Sequence, residues 1–209
     1  MQVNDMDEFV RGAGLTATEA ARRAQIIEAT IDTVAELGYG RASFARIVER
    51  AGLSSTRMIS YHFGTRDDLM MATLGAVIDA YDRFVTERTP VDAGRAAMLR
   101  AQIEAEAAFL TAHPRSARAL VEIGAGARTE DGGPPFELVT RDLRVGRLER
   151  QLLQGQREGV FGEFDAAVMA MAIRQALDGV VVRSARDPDL DVGAYGRELA
   201  GLFDRATRA

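Results

Sequence analysis

The stretch SFARIVERAGLSSTRMISYHFGTRDDL, residues 43–69, decides the fold class of this chain. It predicts a short helix over residues 44–51, a turn at Gly52, a second short helix ending near Phe63, and a third helix opened by Thr65. Two short helices joined by a glycine-containing turn are the layout of a helix-turn-helix. The second helix of that motif enters the major groove of DNA.

The distribution of charge favours the same interpretation. Between Arg41 and Arg66 the chain has five arginines and one acidic residue, a net charge of +4, whereas the whole chain carries −5. A basic segment in an acidic protein is typical of a protein that contacts phosphate with one part only. The chain has no cysteine and only two histidines, so the sequence excludes thiolate metal sites and a His-rich metal site within one chain.

Organisation follows from composition. Strand patterns are almost absent, so we predict an all-α protein of about nine helices. No apolar run approaches the ~18 residues of a membrane span, and the acidic N-terminus lacks a secretory h-region, so we expect a cytoplasmic protein without membrane contact. Three parts are predicted: a flexible arm at 1–17, a helix-turn-helix DNA-binding domain at 18–66, and a helical body at 67–209. Individual helices are predicted at 18–37, 44–51, from 65 to about 88, 92–112, 114–124, 135–159, 164–186 and 190–207, with a loop at 124–135.

One family resemblance extends this interpretation. The residues that carry it are Ala51-Gly52-Leu53-Ser54, Tyr61-His62-Phe63, Arg66 and Leu69. They resemble the DNA-binding domain of the TetR (tetracycline-repressor-like) family of bacterial regulators, closely over residues 18–70 and more loosely beyond. The second helix of the motif, which would be the recognition or reading helix, differs from the family pattern because it lacks an early Gly-Thr pair. The resemblance implies a larger C-terminal helical domain that binds a small apolar molecule and forms a homodimer.

Side-chain chemistry divides the motif into a face that packs in the core and a face that could contact DNA. Leu53, Ile59 and Phe63 are expected to pack inward, which leaves Arg57 as the strongest candidate for reading a guanine edge in bidentate fashion. Tyr61 and the following histidine resemble the family's phosphate-contacting pair, and hydroxyl groups at helix starts favour phosphate. The predicted DNA contacts are Ser43, Ser54, Ser55, Thr56, Arg57, Ser60, Tyr61, His62, Thr65 and Arg66.

The body beyond residue 66 has weaker signals. Large apolar residues on its helices are the candidates for a ligand pocket, although each of them also suits an ordinary core position. The predicted pocket residues are Tyr81, Phe84, Met98, Phe109, Phe136, Leu143, Met169 and Ile173. His113, which precedes a proline, is expected to close a helix end rather than to bind a ligand.

Two apolar stripes predict a dimer. In the last helix, apolar residues recur at heptad-like spacing from Val192 to Ala206, and the preceding helix carries a stripe of small and branched residues from Ala166 to Val181. Two such helices from each subunit would make a four-helix interface. The alternative is that both stripes belong to the monomer core. The predicted interface residues are Ala170, Ile173, Leu177, Val181, Tyr195, Leu199, Leu202 and Phe203.

The function predicted from the sequence is a ligand-responsive transcriptional regulator, most simply a repressor. A dimer would bind an inverted-repeat operator in double-stranded DNA and be released by a small apolar effector, with the long helix from Thr65 as the lever between the two sites. No cofactor is predicted. The alternatives are an activator that uses the same domain, or an all-α carrier or enzyme. The enzyme alternative lacks catalytic spacings, because Glu104, Glu106 and Glu122 are expected to lie on solvated helix faces.

Overall fold

Nine α-helices build the part of the chain that this computed structural model describes, residues 16–90, 92–126, 144–187 and 189–209. Within these ranges the only β pairing is an isolated antiparallel bridge between Phe161 and Arg208. The all-α prediction is therefore confirmed. The helices are α1 (Ala17–Leu37), α2 (Phe44–Ala51), α3 (Thr56–Phe63), α4 (Arg66–Arg88), α5 (Arg95–Ala112), α6 (Pro114–Gly126), α7 (Gly146–Arg157), α8 (Ala166–Arg186) and α9 (Val192–Thr207), with a 3₁₀ turn at Tyr39–Arg41 between α1 and α2.

Local signals set the ends of the N-terminal helices. Thr16 caps α1 in a reciprocal capping box with Glu19, so this helix begins one residue before the predicted start. Gly52 ends α2 in the left-handed region, at φ 63°, where a residue with a Cβ would be strained. The predicted capping box at the start of α4 is confirmed, because the Asp68 N–H donates to Thr65 Oγ1 at 3.1 Å and the Thr65 N–H donates to Asp68 Oδ2 at 3.0 Å.

Several predicted boundaries in the body are corrected. Residues 124–126, predicted to open a loop, complete α6 instead, and the rest of that loop lies outside the described residues. Helices α5, α8 and α9 each begin two or three residues later than predicted. Apart from Thr16 and Ala17, the predicted arm also lies outside the described residues.

The core of the N-terminal helices continues beyond residue 66. Buried apolar residues of α1 to α3 pack against the first half of α4, where Leu69, Met70 and Leu74 are buried. Helix α6 joins the same core through Leu120 and Ile123. The boundary predicted at residue 66 therefore marks the start of a helix and a change of charge, whereas the packing runs across it.

A second core is built by α5, α7, α8 and α9. Helices α9 and α5 of this core approach closely, because a Cβ added at Gly196 would lie 2.5 Å from the Cβ of Ala107. On the surface, the Arg95 guanidinium of α5 donates to both carboxylate oxygens of Glu158, at 2.9 Å each, and so ties α5 to the end of α7. These hydrogen bonds, together with one from Gln154, lower the pKa of Glu158 to about 2.

Candidate nucleic-acid interface and ligand cavity

Helix α3 presents two different faces. Ile59 and Phe63 are buried in the N-terminal core, whereas Thr56, Arg57 and Tyr61 are exposed. The exposure of Tyr61 is unusual for a large aromatic residue, since 74% of its surface is accessible to solvent. An exposed aromatic residue beside an exposed arginine on a short, firmly packed helix is a surface suited to a DNA groove.

The small hydroxyl residues of the predicted interface lie at helix starts. Ser55 occupies the N-cap of α3, where its Oγ accepts the Arg57 N–H at 3.1 Å, and Ser54 beside it is exposed. Ser43 holds the N-cap position of α2, but no side-chain hydrogen bond caps that helix. The hydroxyl of Thr65 is engaged with Asp68 at 2.6 Å. Ser43, Ser55 and Thr65 are thus the N-caps of α2, α3 and α4, and the free N–H groups at helix N-termini favour phosphate.

Arg66, which the sequence predicts as a DNA contact, already has partners within the protein. Its Nε donates to the carbonyl of Ala42 at 3.0 Å, its Nη2 donates to the carbonyl of Tyr39, and its guanidinium lies 4.3 Å from the centre of the Tyr39 ring. This side chain ties the start of α4 to the turn before α2. The sequence shows a basic residue near a helix start, but only the fold shows that carbonyl groups already accept from it.

Sequence reasoning missed the contacts that hold α1 against the motif. The Arg23 guanidinium donates to the carbonyl of His62 and lies 4.2 Å from the centre of the Phe63 ring. Gln25 Nε2 donates to the carbonyl of Ala51 at 2.7 Å, at the end of α2. Burial, and then the positive charge of Arg23, lower the pKa of His62, so this histidine is neutral at neutral pH.

A small cavity lies in the body between α4, α5, α6 and α8. Its volume is about 20 Å³, which is room for about one water molecule. Two of the residues predicted to line a pocket, Tyr81 and Phe109, are in its wall. A drug-sized ligand needs a pocket of about 300–1,000 Å³, so such a ligand requires the walls to move apart.

The other predicted pocket residues have different positions. Phe84 packs edge-to-face on Phe109 beneath the guanidinium of Arg88, outside the cavity wall. Ile173 is buried in the second core and Met169 packs against it, while Met98 is half-buried on α5. Phe136 and Leu143 lie outside the described residues. The predicted role of His113 agrees with the structure, since this residue is the C-cap of α5.

Glu106 corrects the sequence prediction most clearly. Instead of lying on a solvated helix face, it is buried in the cavity wall with Tyr81, Arg144 and Arg174. Arg174 Nη1 donates to Glu106 Oε2, and Arg144 Nη2 lies 3.6 Å from the same oxygen. Asp178 completes the cluster at 3.1 Å from Arg174 Nη2. Glu106 stands in the segment IEAEAAF of α5, beside alanines and a second glutamate, so no local signal marks it as buried.

Charge pairing outweighs desolvation at this cluster. Burial by itself would raise the pKa of Glu106, but the positive charges of Arg174 and Arg144 and the hydrogen bonds around the carboxylate lower it overall. Burial also raises the pKa of the Tyr81 hydroxyl. At neutral pH the glutamate is therefore charged and the tyrosine is neutral.

The depressed pKa of Glu106 predicts a specific loss of stability in acid. A carboxyl whose folded pKa lies below its unfolded value stabilises the fold above the unfolded value of 4.5, and that stabilisation is lost as the pH falls through the folded pKa. Thermal unfolding measured between about pH 7 and about pH 3 is expected to show a falling midpoint in the wild type. Glu106→Gln is expected to flatten the part of this fall below 4.5, and an unchanged slope would contradict the assignment.

The residues predicted for the dimer interface divide into two groups. Ala170, Ile173, Leu177 and Phe203 are buried within the chain's own core, so they are corrected to monomer core positions. A periodic apolar stripe shows that a helix face is covered, but not which partner covers it. Val181 is half-buried in the cavity wall, while Tyr195 and Leu199 are half-buried on α9 and Leu202 is exposed.

A different face of α8 is left open. Val168, Met171 and Val182 are exposed large apolar residues that share one side of the helix. Gly179 lies on the same side, and a Cβ added there would meet nothing within 4 Å. Helix α9 adds Leu202, which is 51% exposed. Within the described residues, no helix is long and apolar enough to cross a membrane.

The fold and the exposed face of α3 define a helix-turn-helix, the motif whose second helix enters the major groove of DNA. Residues 26–73 match the family model for bacterial regulatory proteins of the tetR family. The chain is 35% identical over 85 residues to the HTH-type transcriptional regulator BetI of Paraburkholderia phytofirmans, covering 40% of this chain and 43% of the relative. BetI of Pseudomonas aeruginosa PAO1 is 38% identical over 85 residues, with the same coverage. The matched region thus spans less than half the length of these curated relatives.

Solved structures resemble this chain over most of its length. The fatty acid degradation regulator FadR of Bacillus halodurans superposes with a TM-score of 0.75 at 20% identity, covering 87% of this chain and 94% of FadR. A TetR transcription regulator of Haloarcula marismortui gives 0.74 at 22% identity, covering 91% and 100%. The chain therefore carries the DNA-binding domain and the fold of the TetR family of transcriptional regulators, and its relatives are named as regulators rather than enzymes.

Proposed function

We propose that this protein is a ligand-responsive repressor that binds an inverted-repeat operator as a homodimer, with residues 18–66 reading DNA and residues 67–209 binding the effector and forming the dimer. The observation that carries the proposal is the exposed face of α3, with Arg57 and Tyr61 held outward by a buried face. The proposal includes a cytoplasmic location, where a bacterial regulator meets chromosomal DNA. The proposed DNA contacts remain those predicted from the sequence, except that Arg66 acts mainly as an internal tie.

Arg57 is proposed to read a base pair. Its side chain is exposed on α3, and a guanidinium can donate to guanine O6 and N7 together. Arg57→Ala is expected to weaken operator binding by about 1–3 kcal/mol and to relax the preference at one base pair. Titration of the operator and of single-base variants measures both effects. Arg157→Ala, an exposed arginine on α7, is the matched control, and an equal loss on every sequence would assign Arg57 to phosphate instead.

The open face of α8 is proposed as the dimer contact. Its exposed apolar residues lie along one side of the helix, and Gly179 permits close approach of a second helix. A dimer would place its two reading helices about 34–36 Å apart, one turn of DNA. Met171→Asp is expected to yield monomers in sedimentation velocity, because the change buries an unpaired charge in the interface. Val160→Asp, exposed elsewhere in the body, is expected to stay dimeric, and a dimeric Met171→Asp would reject this face.

Helix α6 is proposed as the lever between cavity and DNA-binding domain, in addition to α4. Leu120 belongs both to the cavity wall and to the N-terminal core. Two residues on, Glu122 accepts the Tyr39 N–H at 3.4 Å, and Tyr39 is the residue over which Arg66 lies. Because the cavity is too small for an organic ligand, binding favours a conformation in which α6 has moved. A ligand that binds only this conformation lowers DNA affinity by its differential affinity for the two states.

Selection of DNA fragments from the source genome tests the proposed function. The full chain would be incubated with the fragment library at about 0.15 M salt, with Arg57→Ala as the control. Recovery of a short inverted repeat that the control does not recover would support a dimeric regulator and name its target genes. Recovery of nothing above background in the wild type would contradict DNA reading by this motif in the absence of an effector.

A further inference from the structure

Two arginines stand in the wall of the cavity with their side chains almost entirely out of solvent. The side chain of Arg144 is 8% exposed and that of Arg174 is 7% exposed. Burying a guanidinium is costly unless its N–H groups find acceptors. In the part of the chain that the structure describes, the Nε of each arginine has no hydrogen-bond partner. The cavity wall therefore contains two buried donors that an acceptor group could satisfy.

The charges around the cavity are also unequal. Glu106 is the buried carboxylate, at 8% exposure, and both arginines approach its Oε2. The second acidic partner, Asp178, is 32% exposed and contacts Arg174 only. Among the residues that the structure describes, two guanidinium groups and one carboxylate are buried in the cavity wall, and the second carboxylate of the wall, Asp178, is partly exposed to solvent. One further monoanion would balance the charges of these three buried side chains.

We propose that the effector is a monocarboxylic acid with an apolar body, whose carboxylate pairs with Arg144 and Arg174. The rest of the wall suits the body of such a molecule, since it includes Phe109, Leu120 and Leu177. The inference rests on the proposed function and deepens it by naming the chemical class of effector, in place of a wholly apolar one.

A carboxylate fits this wall better than a phosphate does. Planar guanidinium and carboxylate groups form short, charge-assisted hydrogen bonds, and the same two arginines already share the carboxylate of Glu106. A phosphate monoester brings a charge of about −1.5 to −2 at neutral pH, more than the single excess positive charge in the buried layer.

Calorimetric titration of the purified full chain, without DNA, tests the inference. The probes are hexanoate, octanoate, benzoate and phenylacetate, each paired with its primary amide, which has the same shape without the charge. At least one acid is expected to bind saturably, and its amide at least about tenfold more weakly, a difference of about 1.4 kcal/mol. Failure of all four acids, or equal affinity of an acid and its amide, would overturn the proposal.

Variants test whether the two arginines are responsible. Arg144→Met leaves Glu106 paired with Arg174 and is expected to weaken binding of the acid at least about tenfold. Arg150→Met, an exposed arginine six residues further along the chain, is the matched control. Because removal of Arg174 alone leaves a buried carboxylate poorly paired, the second variant is Glu106→Gln/Arg174→Met, which removes both charges and is expected to show the same loss. Equal binding by Arg144→Met and Arg150→Met would overturn the proposal.

The calorimetric titration and the genomic selection of DNA can fail independently of each other. The titration contains no DNA, so it reports on the effector class whether or not an operator is found. If the genomic selection returns an operator while no acid binds, the regulatory function is supported and the proposed class of effector is rejected. If an acid binds through the arginines while the selection returns no DNA both with and without that acid, the effector site is supported and the regulatory function is rejected.

Discussion

Replacing Glu106 by leucine is expected to lower the free energy of unfolding by about 3–5 kcal/mol, because the change leaves two buried guanidinium groups without their shared carboxylate. The leucine keeps a similar volume, so the loss comes from unpaired charge rather than from a cavity. In a chain of this size about 2–4 °C corresponds to 1 kcal/mol, and the melting temperature is expected to fall by roughly 6–20 °C. Thermal unfolding at a fixed protein concentration is the measurement.

Glu104 provides the matched control on the same helix. It pairs with Arg100 at 3.0 Å, but both side chains are more than a third exposed. Exposed pairs contribute about 0.2–1 kcal/mol, so Glu104→Leu is expected to change the melting temperature only slightly. Similar effects of the two substitutions would show that the cluster around Glu106 is open to solvent or that the arginines find other partners.

Replacing Ile59 by alanine is expected to cost about 2–5 kcal/mol of stability and to abolish operator binding at concentrations where the wild type is saturated. Ile59 is completely buried beneath α3, in the core shared by α1, α2 and α4. The substitution removes the apolar contacts that fix the angle of the reading helix. Urea unfolding and operator titration, made on the same preparation, measure the two effects.

A substitution at Tyr61, two residues further on, distinguishes the contribution of α3 to stability from its contribution to DNA recognition. Because this side chain is exposed, Tyr61→Ala is expected to change the free energy of unfolding by no more than about 0.5 kcal/mol, while operator binding weakens. Ile59→Ala would lose both properties and Tyr61→Ala only one. An Ile59→Ala protein of wild-type stability would show that α3 is not held by the core as described.

The helix boundaries that could be predicted are those with local causes. Gly52 ends α2 because only glycine readily adopts its backbone conformation, and the capping box of Thr65 and Asp68 starts α4. These interactions join residues at most a few positions apart, so the sequence contains both partners. The end of α6 was harder to predict, because the glycine-containing segment there continues the helix to Gly126 instead of ending it.

The candidate DNA interface likewise contains features that local sequence pattern predicts and features that it does not. The exposed face of α3 follows from helical periodicity once Ile59 and Phe63 are placed inward. The role of Arg66 could not be predicted, since the carbonyls that it meets belong to residues 39 and 42 and approach only after α4 has packed.

The sequence by itself determined the all-α class, the helix-turn-helix and the side of α3 that faces outward, because these depend on local spacing and capping. Only the tertiary structure decided which apolar stripe of α8 is core, and that Glu106 is buried between Arg144 and Arg174. These residues come from three segments, 38 and 30 positions apart along the chain. Their meeting depends on how whole helices pack, and a helical pattern shows that a face is covered without identifying the partner that covers it.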